Sequence, residues 1–164
     1  MMRAGVIGLG DMGSGLAKNL LKAGFETTGI DMKPERMAAF VEMGGRAAVD
    51  VADVGANADA VFVMVMNGDQ VKSVLFGEGG LLAHMPKGGA VILSATIKPV
   101  EAEEIGAAMA DSGIHLIDTP VSGGFPGAQG GTLTMMAAGV DEVLDTYAPV
   151  MEAVSATIWC VGTE

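Results

Sequence analysis

Positive charge is scarce in this chain of 164 residues: nine Lys and Arg stand against twenty Asp and Glu, a formal net charge of −11. No basic cluster is available to neutralise a phosphate backbone, which argues against nucleic acid as a partner. Cysteine occurs once, at Cys160. Neither a disulfide nor a paired-thiolate metal site can form, a reducing cytoplasm is the expected setting, and the thiol is expected to be buried in a strand. The two histidines, His84 and His115, are widely spaced and lack an acidic cluster. No metal site is read from them, and each is expected at a surface or structural position. Apolar runs are short. The longest, Ala60 to Met66, cannot span a bilayer and reads as a central strand buried on both faces. No signal peptide is read, since the apolar N-terminus already belongs to a strand. Repeats, linkers and low-complexity tracts are missing too. A chain of this length buries roughly two-thirds of its unfolded surface, so residues 1–164 are expected to form one soluble domain.

Glycine, by contrast, is plentiful, with 25 residues. The most informative of them lie in Ala4-Gly5-Val6-Ile7-Gly8-Leu9-Gly10-Asp11-Met12-Gly13. Val6 and Ile7 read as a buried strand. Gly8 then permits a tight turn, Gly10 lets the backbone approach a pyrophosphate, and Gly13 allows a new helix to pack closely. That helix, Met12 to Ala23, carries Met12, Leu16 and Leu20 on one face. Its N-terminus would bind phosphate through unpaired N–H groups and the helix dipole, with no basic side chain needed. A second strand, Thr27 to Asp31, follows. Asp31 lies 18 residues after Gly13, near the roughly 20 expected of a ribose-binding acid. Its other reading is a solvated turn residue. As a ribose acceptor it would repel a 2′-phosphate and favour NAD over NADP, while Lys33 and Arg36 stand close enough to accommodate one or simply to be solvated.

Further along, apolar runs alternate with helical patterns as in a doubly wound, mainly parallel α/β sheet of three layers. The spacing predicts a helix over Pro34 to Met43, a short strand near Arg46 to Val49, a helical turn at Val51 to Ala56 and the strand Ala60 to Met66. A helix at Asp69 to Phe76, a short helix near Gly79 to His84 and a strand Ala90 to Leu93 come next. Helix Pro99 to Asp111 should bury Ala102, Ile105, Ala108 and Met109. Strand Ile114 to Ile117 leads into a Gly-rich segment, Pro120 to Gly131. Strand Leu133 to Ala137 follows, then a helix lined by Val140, Val143, Leu144 and Tyr147 that Pro149 ends or restarts, and a last strand, Thr157 to Val161.

Ligands in such sheets collect outside the carboxyl ends of the strands. Besides Gly8 to Gly13, the segments placed there are Met66-Asn67, Ser94-Ala95-Thr96 and Asp118 to Gly124. Ser122 with the N–H groups of Gly123 and Gly124 offers a seat for a carboxylate, or else forms an ordinary Gly-rich surface loop.

Taken together, Gly8-Leu9-Gly10-Asp11-Met12-Gly13, Leu16-Ala17-Lys18-Asn19-Leu20, Ala23-Gly24, Asp118-Thr119-Pro120-Val121-Ser122-Gly123-Gly124 and Gly131-Thr132-Leu133-Thr134 resemble the β-hydroxyacid dehydrogenases typified by 3-hydroxyisobutyrate dehydrogenase. The resemblance covers essentially the whole chain. Met66-Asn67 and Ser94-Ala95-Thr96 depart from the commoner Leu-Pro and Ser-Ser-Thr patterns and look more like the L-threonate dehydrogenase branch.

The resemblance implies hydride transfer between a β-hydroxy acid and NAD, with NADP not excluded, and a reversal of strand direction near Leu133. It places Gly8, Leu9, Gly10, Asp11, Met12, Gly13, Asp31, Met66, Asn67 and Thr96 at the cofactor, and Ser122, Gly123, Gly124 and Thr96 at the substrate. In the family the general base is a lysine on a helix following the final strand and leading into a helical second domain. No lysine here takes that place, Lys98 included, so the lysine is expected beyond Glu164. The resemblance therefore implies a cofactor-binding domain that does not turn over substrate alone, and a homo-oligomeric full-length protein. The alternatives are an NADPH-dependent semialdehyde or imine reductase relative, a phosphogluconate dehydrogenase relative, and a non-catalytic NAD-sensing module.

Overall fold

A computed structural model describes residues 2–65, 67–94 and 97–162, with the backbone alone for Phe125, Val161 and Gly162. Its first half runs β1 (Ala4–Ile7), α1 (Asp11–Lys22), β2 (Thr27–Ile30), α2 (Pro34–Glu42), β3 (Arg46–Ala47), α3 (Val51–Ala56), β4 (Ala60–Val63) and α4 (Gly68–Phe76). After a 3-10 turn at Leu81–Ala83 come β5 (Ala90–Leu93), α5 (Pro99–Met109), β6 (His115–Asp118), β7 (Val121–Ser122), α6 (Gly124–Gly130), β8 (Leu133–Ala138), α7 (Asp141–Glu152) and β9 (Ser155–Gly162).

Side chains that alternate across a strand build two cores, one on each face of the sheet. Val6, Phe62 and Ile92 face one side, beneath α1, α6 and α7. Ile7, Val61, Val63, Val91 and Leu93 face the other, beneath α3, α4 and α5. Every residue of β1, β4 and β5 is buried, as a central strand covered on both faces requires. The strand order is β3-β2-β1-β4-β5-β6-β8, with β7 continuing β6 along β8 and β9 on the other side of β8. Pairing is parallel from β3 to β6, antiparallel where β8 meets β6 and β7, and parallel again between β8 and β9. From β1 the chain winds outward to β3 and then returns to β4 on the other side of β1. This reversal leaves a crevice at the carboxyl ends of β1 and β4, whose last paired residues are Ile7 and Val63. At the opposite end Arg3 and Asp59 tie the two strand roots together through the Arg3 N–H at 2.8 Å and the guanidinium at 3.1 Å.

Several local expectations are corrected. The segment Pro120 to Gly131 is not only loop: it holds β7 and α6. Pro149 neither ends nor restarts α7, which continues to Glu152. Only the Asp145 carbonyl loses its partner, on the exposed side, while Leu144, Tyr147, Val150 and Met151 stay buried. Ala108 is exposed, roughly a quarter turn from the stripe of Ala102, Ile105 and Met109. Cys160 is exposed rather than buried, because β9 pairs with β8 alone. Strand β4 stops at Val63, short of the expected Met66, and β6 is displaced by one residue.

Candidate functional site

The turn after β1 is built by its glycines. Gly8 has φ +96°, and a Cβ there would overlap the Met64 carbonyl oxygen beside it. A Cβ on Gly13 would overlap the carbonyl oxygen of Gly8, so α1 can start this close to the strand only with glycine at that position. Gly10 differs from both. It is the N-cap of α1 and offers no side-chain acceptor to the helix, and a Cβ there would meet nothing nearer than the Arg36 guanidinium at 3.5 Å. The first turn of a twelve-residue helix is therefore left without a side-chain cap beside open backbone, an arrangement suited to an anion. Leu9 is buried, Met12 partly so, and Asp11 is exposed.

Asp31 stands just past the end of β2 and faces this turn. Its Oδ2 accepts the Leu9 N–H at 2.8 Å, its Oδ1 accepts the Lys33 N–H at 2.9 Å, and Arg36 Nη1 lies 3.4 Å from Oδ2. Burial pushes this carboxyl up, but the N–H groups of Lys33 and Leu9 and the Arg36 guanidinium together hold it below the usual aspartate value. An ionised acceptor is thus fixed next to the helix N-terminus. A cleft of about 230 Å³ opens alongside, lined by Gly10, Asp11, Ser14, Arg36, Ala39 and Met43 among others.

The remaining strand ends are more mixed. Met66, Ala95 and Thr96 lie outside the described residues. Asn67 caps α4, its Oδ1 accepting the Gln70 N–H at 2.9 Å. The hydroxyls of Ser94 and Thr119, which follow the paired residues Leu93 and Asp118 at the ends of β5 and β6, are buried and find no hydrogen-bond partner among the described residues. Burial pushes the Asp118 carboxyl above its usual value. It borders a larger groove of about 1050 Å³ along α5, which shares no lining residue with the cleft at Gly10. Ser122 is exposed on β7 opposite Thr134, and Gly123, with φ +124°, turns the chain into α6.

One arrangement was not read from the sequence. Asn19, buried on α1, donates through Nδ2 to the carbonyls of Ala128 and Gln129 at the end of α6, at 2.9 and 3.0 Å. A Cβ on Gly15 would meet the Ala128 backbone at 2.5 Å, so the two helices cross in direct contact there. Gln129 returns a bond to the Asp11 carbonyl at 3.3 Å. The helix behind Gly8 to Gly13 and the helix behind Ser122 to Gly124 are thereby locked together. An asparagine and a glycine on the apolar face of α1 are the only local signal of it.

Lys98 is the exposed N-cap of α5, His84 pairs through Nδ1 with the Gly80 carbonyl at 2.9 Å, and His115 is exposed. Among the described residues no group of His, Cys, Asp or Glu could hold a metal ion, and no helix is long and apolar enough to cross a membrane.

Comparison with known proteins agrees with this geometry. Residues 3–162 match the family model described as the NAD binding domain of 6-phosphogluconate dehydrogenase. An L-threonate dehydrogenase of Escherichia coli O6:H1 is 41% identical over 161 residues, which are 98% of this chain and 53% of that protein. An NAD-dependent L-serine dehydrogenase of Pseudomonas aeruginosa is 37% identical over 164 residues, 100% of this chain and 55% of that protein. The crystal structure of a 3-hydroxyisobutyrate dehydrogenase from Salmonella typhimurium superposes with a TM-score of 0.94 at 35% identity, over 99% of this chain and 57% of that one. The chain thus spans about half the length of the relatives it matches.

Proposed function

The chain belongs to the family of the NAD binding domain of 6-phosphogluconate dehydrogenase, and from that premise we propose that it is the cofactor half of a β-hydroxyacid dehydrogenase. The carrying observation is the ionised Asp31 carboxylate, bonded to the Leu9 N–H at 2.8 Å beside the uncapped first turn of α1. In this reading the N–H groups of that turn hold the pyrophosphate, Gly10 lets it approach, and Asp31 accepts ribose hydroxyls. Met66 and Asn67 border the cofactor, and Thr96 the nicotinamide and the substrate. Ser122, Gly123 and Gly124 hold the substrate carboxylate and the neighbouring hydroxyl.

The substrate is a small hydroxy acid, of the polyhydroxylated sugar-acid class if the threonate-like pattern at Met66-Asn67 and Ser94-Ala95-Thr96 governs. The dinucleotide, when bound, supplies the acceptor for hydride from the carbon bearing the hydroxyl. The alcohol proton then needs a general base. None of the lysines in this sequence is assigned that role, so this chain alone binds the cofactor without turnover, and a lysine from a second, helical domain completes the site.

Titration of the chain with NADH and NADPH, followed by nicotinamide fluorescence, tests the reading. NADH should bind saturably, and Asp31→Ala should weaken it about tenfold or more, as loss of hydrogen bonds to a charged acceptor does. Saturable binding of neither dinucleotide, or an Asp31→Ala variant that binds NADH as tightly as the parent, would refute it.

A further inference from the structure

We propose that Glu101 is a positioning residue for the nicotinamide half of the site: its carboxylate, seated across Gly68, clasps the N-termini of α4 and α5 and sets the spacing of the two turns that lead into them. The inference rests on the reading that Asn67 borders the cofactor and Thr96 the nicotinamide.

Strands β4 and β5 run in parallel register, with Val63 opposite Leu93, so the turns 64–67 and 94–98 leave the sheet as neighbours. Helices α4 and α5 end those turns and fix their course. The two helix starts are capped differently. Asn67 serves α4 from its own N-cap position, accepting the Gln70 N–H. Lys98, the N-cap of α5, has no side-chain acceptor to offer, and Glu101, three residues on, turns back so that its Oε1 accepts the Lys98 N–H at 3.2 Å. The same carboxylate reaches the other helix. A Cβ on Gly68, the buried first residue of α4, would overlap it. Gly68 is not in a left-handed conformation, so the carboxylate of Glu101, not the backbone, is what demands glycine there.

Two helix N-termini side by side present like partial charges, and one carboxylate between them offsets both. About one turn further along, Lys72 Nζ and Glu104 Oε2 at 2.6 Å make a second tie between the helices. The Lys98–Glu101 bond and the Lys72–Glu104 pair are both exposed, and exposed pairs add little to global stability. The clasp therefore acts on local geometry. It is also separable from folding, because a methyl group on Gly68 would meet only the end of a flexible side chain. Gly68→Ala expels the carboxylate and leaves the helix backbone where it is.

NADH and ADP-ribose differ by the nicotinamide, and isothermal titration calorimetry on the chain reads both. The parent should bind NADH the more tightly. Glu101→Ala should weaken NADH about fivefold and leave ADP-ribose within about twofold, while Glu101→Gln, which keeps an acceptor for the Lys98 N–H, should retain most of the NADH affinity. Gly68→Ala should reproduce the loss, and combining it with Glu101→Ala should add nothing, since both break one contact. Unfolding midpoints should stay at the parent value throughout. Without ligand, Glu101→Ala and Gly68→Ala should each speed hydrogen exchange in the N-terminal turns of α4 and α5. Equal losses on the two ligands, losses that multiply in the double variant, exchange unchanged from the parent, or a parent that binds ADP-ribose as tightly as NADH would overturn the positioning role. A parent that binds neither ligand, with exchange altered as expected, would instead overturn the cofactor reading and leave Glu101 a structural clasp.

Discussion

The side-chain amide of Asn19 lies 2.9 Å from the carbonyl oxygen of Ala128, across 109 residues of sequence, and is buried there. It serves the C-terminal carbonyls of a seven-residue helix that contains three glycines and a proline and has little intrinsic reason to form. The helix exists because α1 supplies both a donor, Asn19, and a gap, Gly15.

Asn19→Leu should therefore cost more than its change in volume implies. It leaves the buried carbonyl of Ala128 and the part-buried carbonyl of Gln129 without the Asn19 donor, a loss of about 1–3 kcal/mol. Urea unfolding would show it as a lower midpoint at nearly unchanged slope. Hydrogen exchange should accelerate in α6 well before the central strands. A variant as stable as the parent would mean that α6 is held by apolar contacts alone.

The two glycines at the start of α1 should behave differently when each is given a methyl group. In Gly13→Ala the new Cβ collides with the Gly8 carbonyl, so the helix must withdraw from the strand, with a stability loss of about 1–3 kcal/mol and no measurable NADH binding. In Gly10→Ala the Cβ makes only ordinary contact with the Arg36 guanidinium at 3.5 Å, at a φ of −72° that alanine adopts freely, so stability should stay within about 0.5 kcal/mol of the parent. NADH affinity should still fall, because the methyl stands where a pyrophosphate would approach. Thermal unfolding and fluorescence titration of the two variants separate a packing role from a ligand-facing one. Unaltered NADH binding in Gly10→Ala would contradict the proposed seat.

Those contrasts bear on what the sequence made legible. The glycine turn, β1, β4, β5 and Asp31 were readable because their signals are local: an apolar run, a fixed spacing, an acid at a strand end. The antiparallel turn of β8 near Leu133 followed from the family resemblance, not from spacing. By contrast, α6 was hidden because glycines and Pro126 mark a loop locally, and the stabilising groups lie more than 100 residues away on α1. Burial of Cys160 was misjudged for a related reason. Cysteine favours interiors, but whether a strand is central or at an edge depends on the strand order, which no local pattern encodes. The pairing of Arg36 with Asp31 fell between these cases: proximity was visible in sequence, but sharing of one carboxylate oxygen with the Leu9 N–H was not.

Asp118 gives the fold a pH dependence of a sign opposite to that of most of its paired carboxylates. Burial raises this carboxyl, and no described side chain or N–H offsets it. Below the ordinary aspartate value of roughly 3.9 both the folded and unfolded chains hold the proton, and Asp118 costs nothing. As the pH rises past that value the unfolded chain releases its proton first, so the folded state loses stability until the raised folded value is passed. Above that point the penalty is constant. For Asp31 and Asp59, held low by their partners, the sign is reversed: their contribution is complete above the ordinary value and is lost as the pH falls through their lowered folded values. Asp118→Asn should therefore unfold at higher urea than the parent at pH 7, and the difference should vanish toward pH 3 while both proteins weaken in acid. Denaturation midpoints of the pair across that range isolate the one residue, since every other carboxylate is common to both. A difference that persists unchanged at pH 3 would assign the effect to packing of the amide rather than to the buried charge.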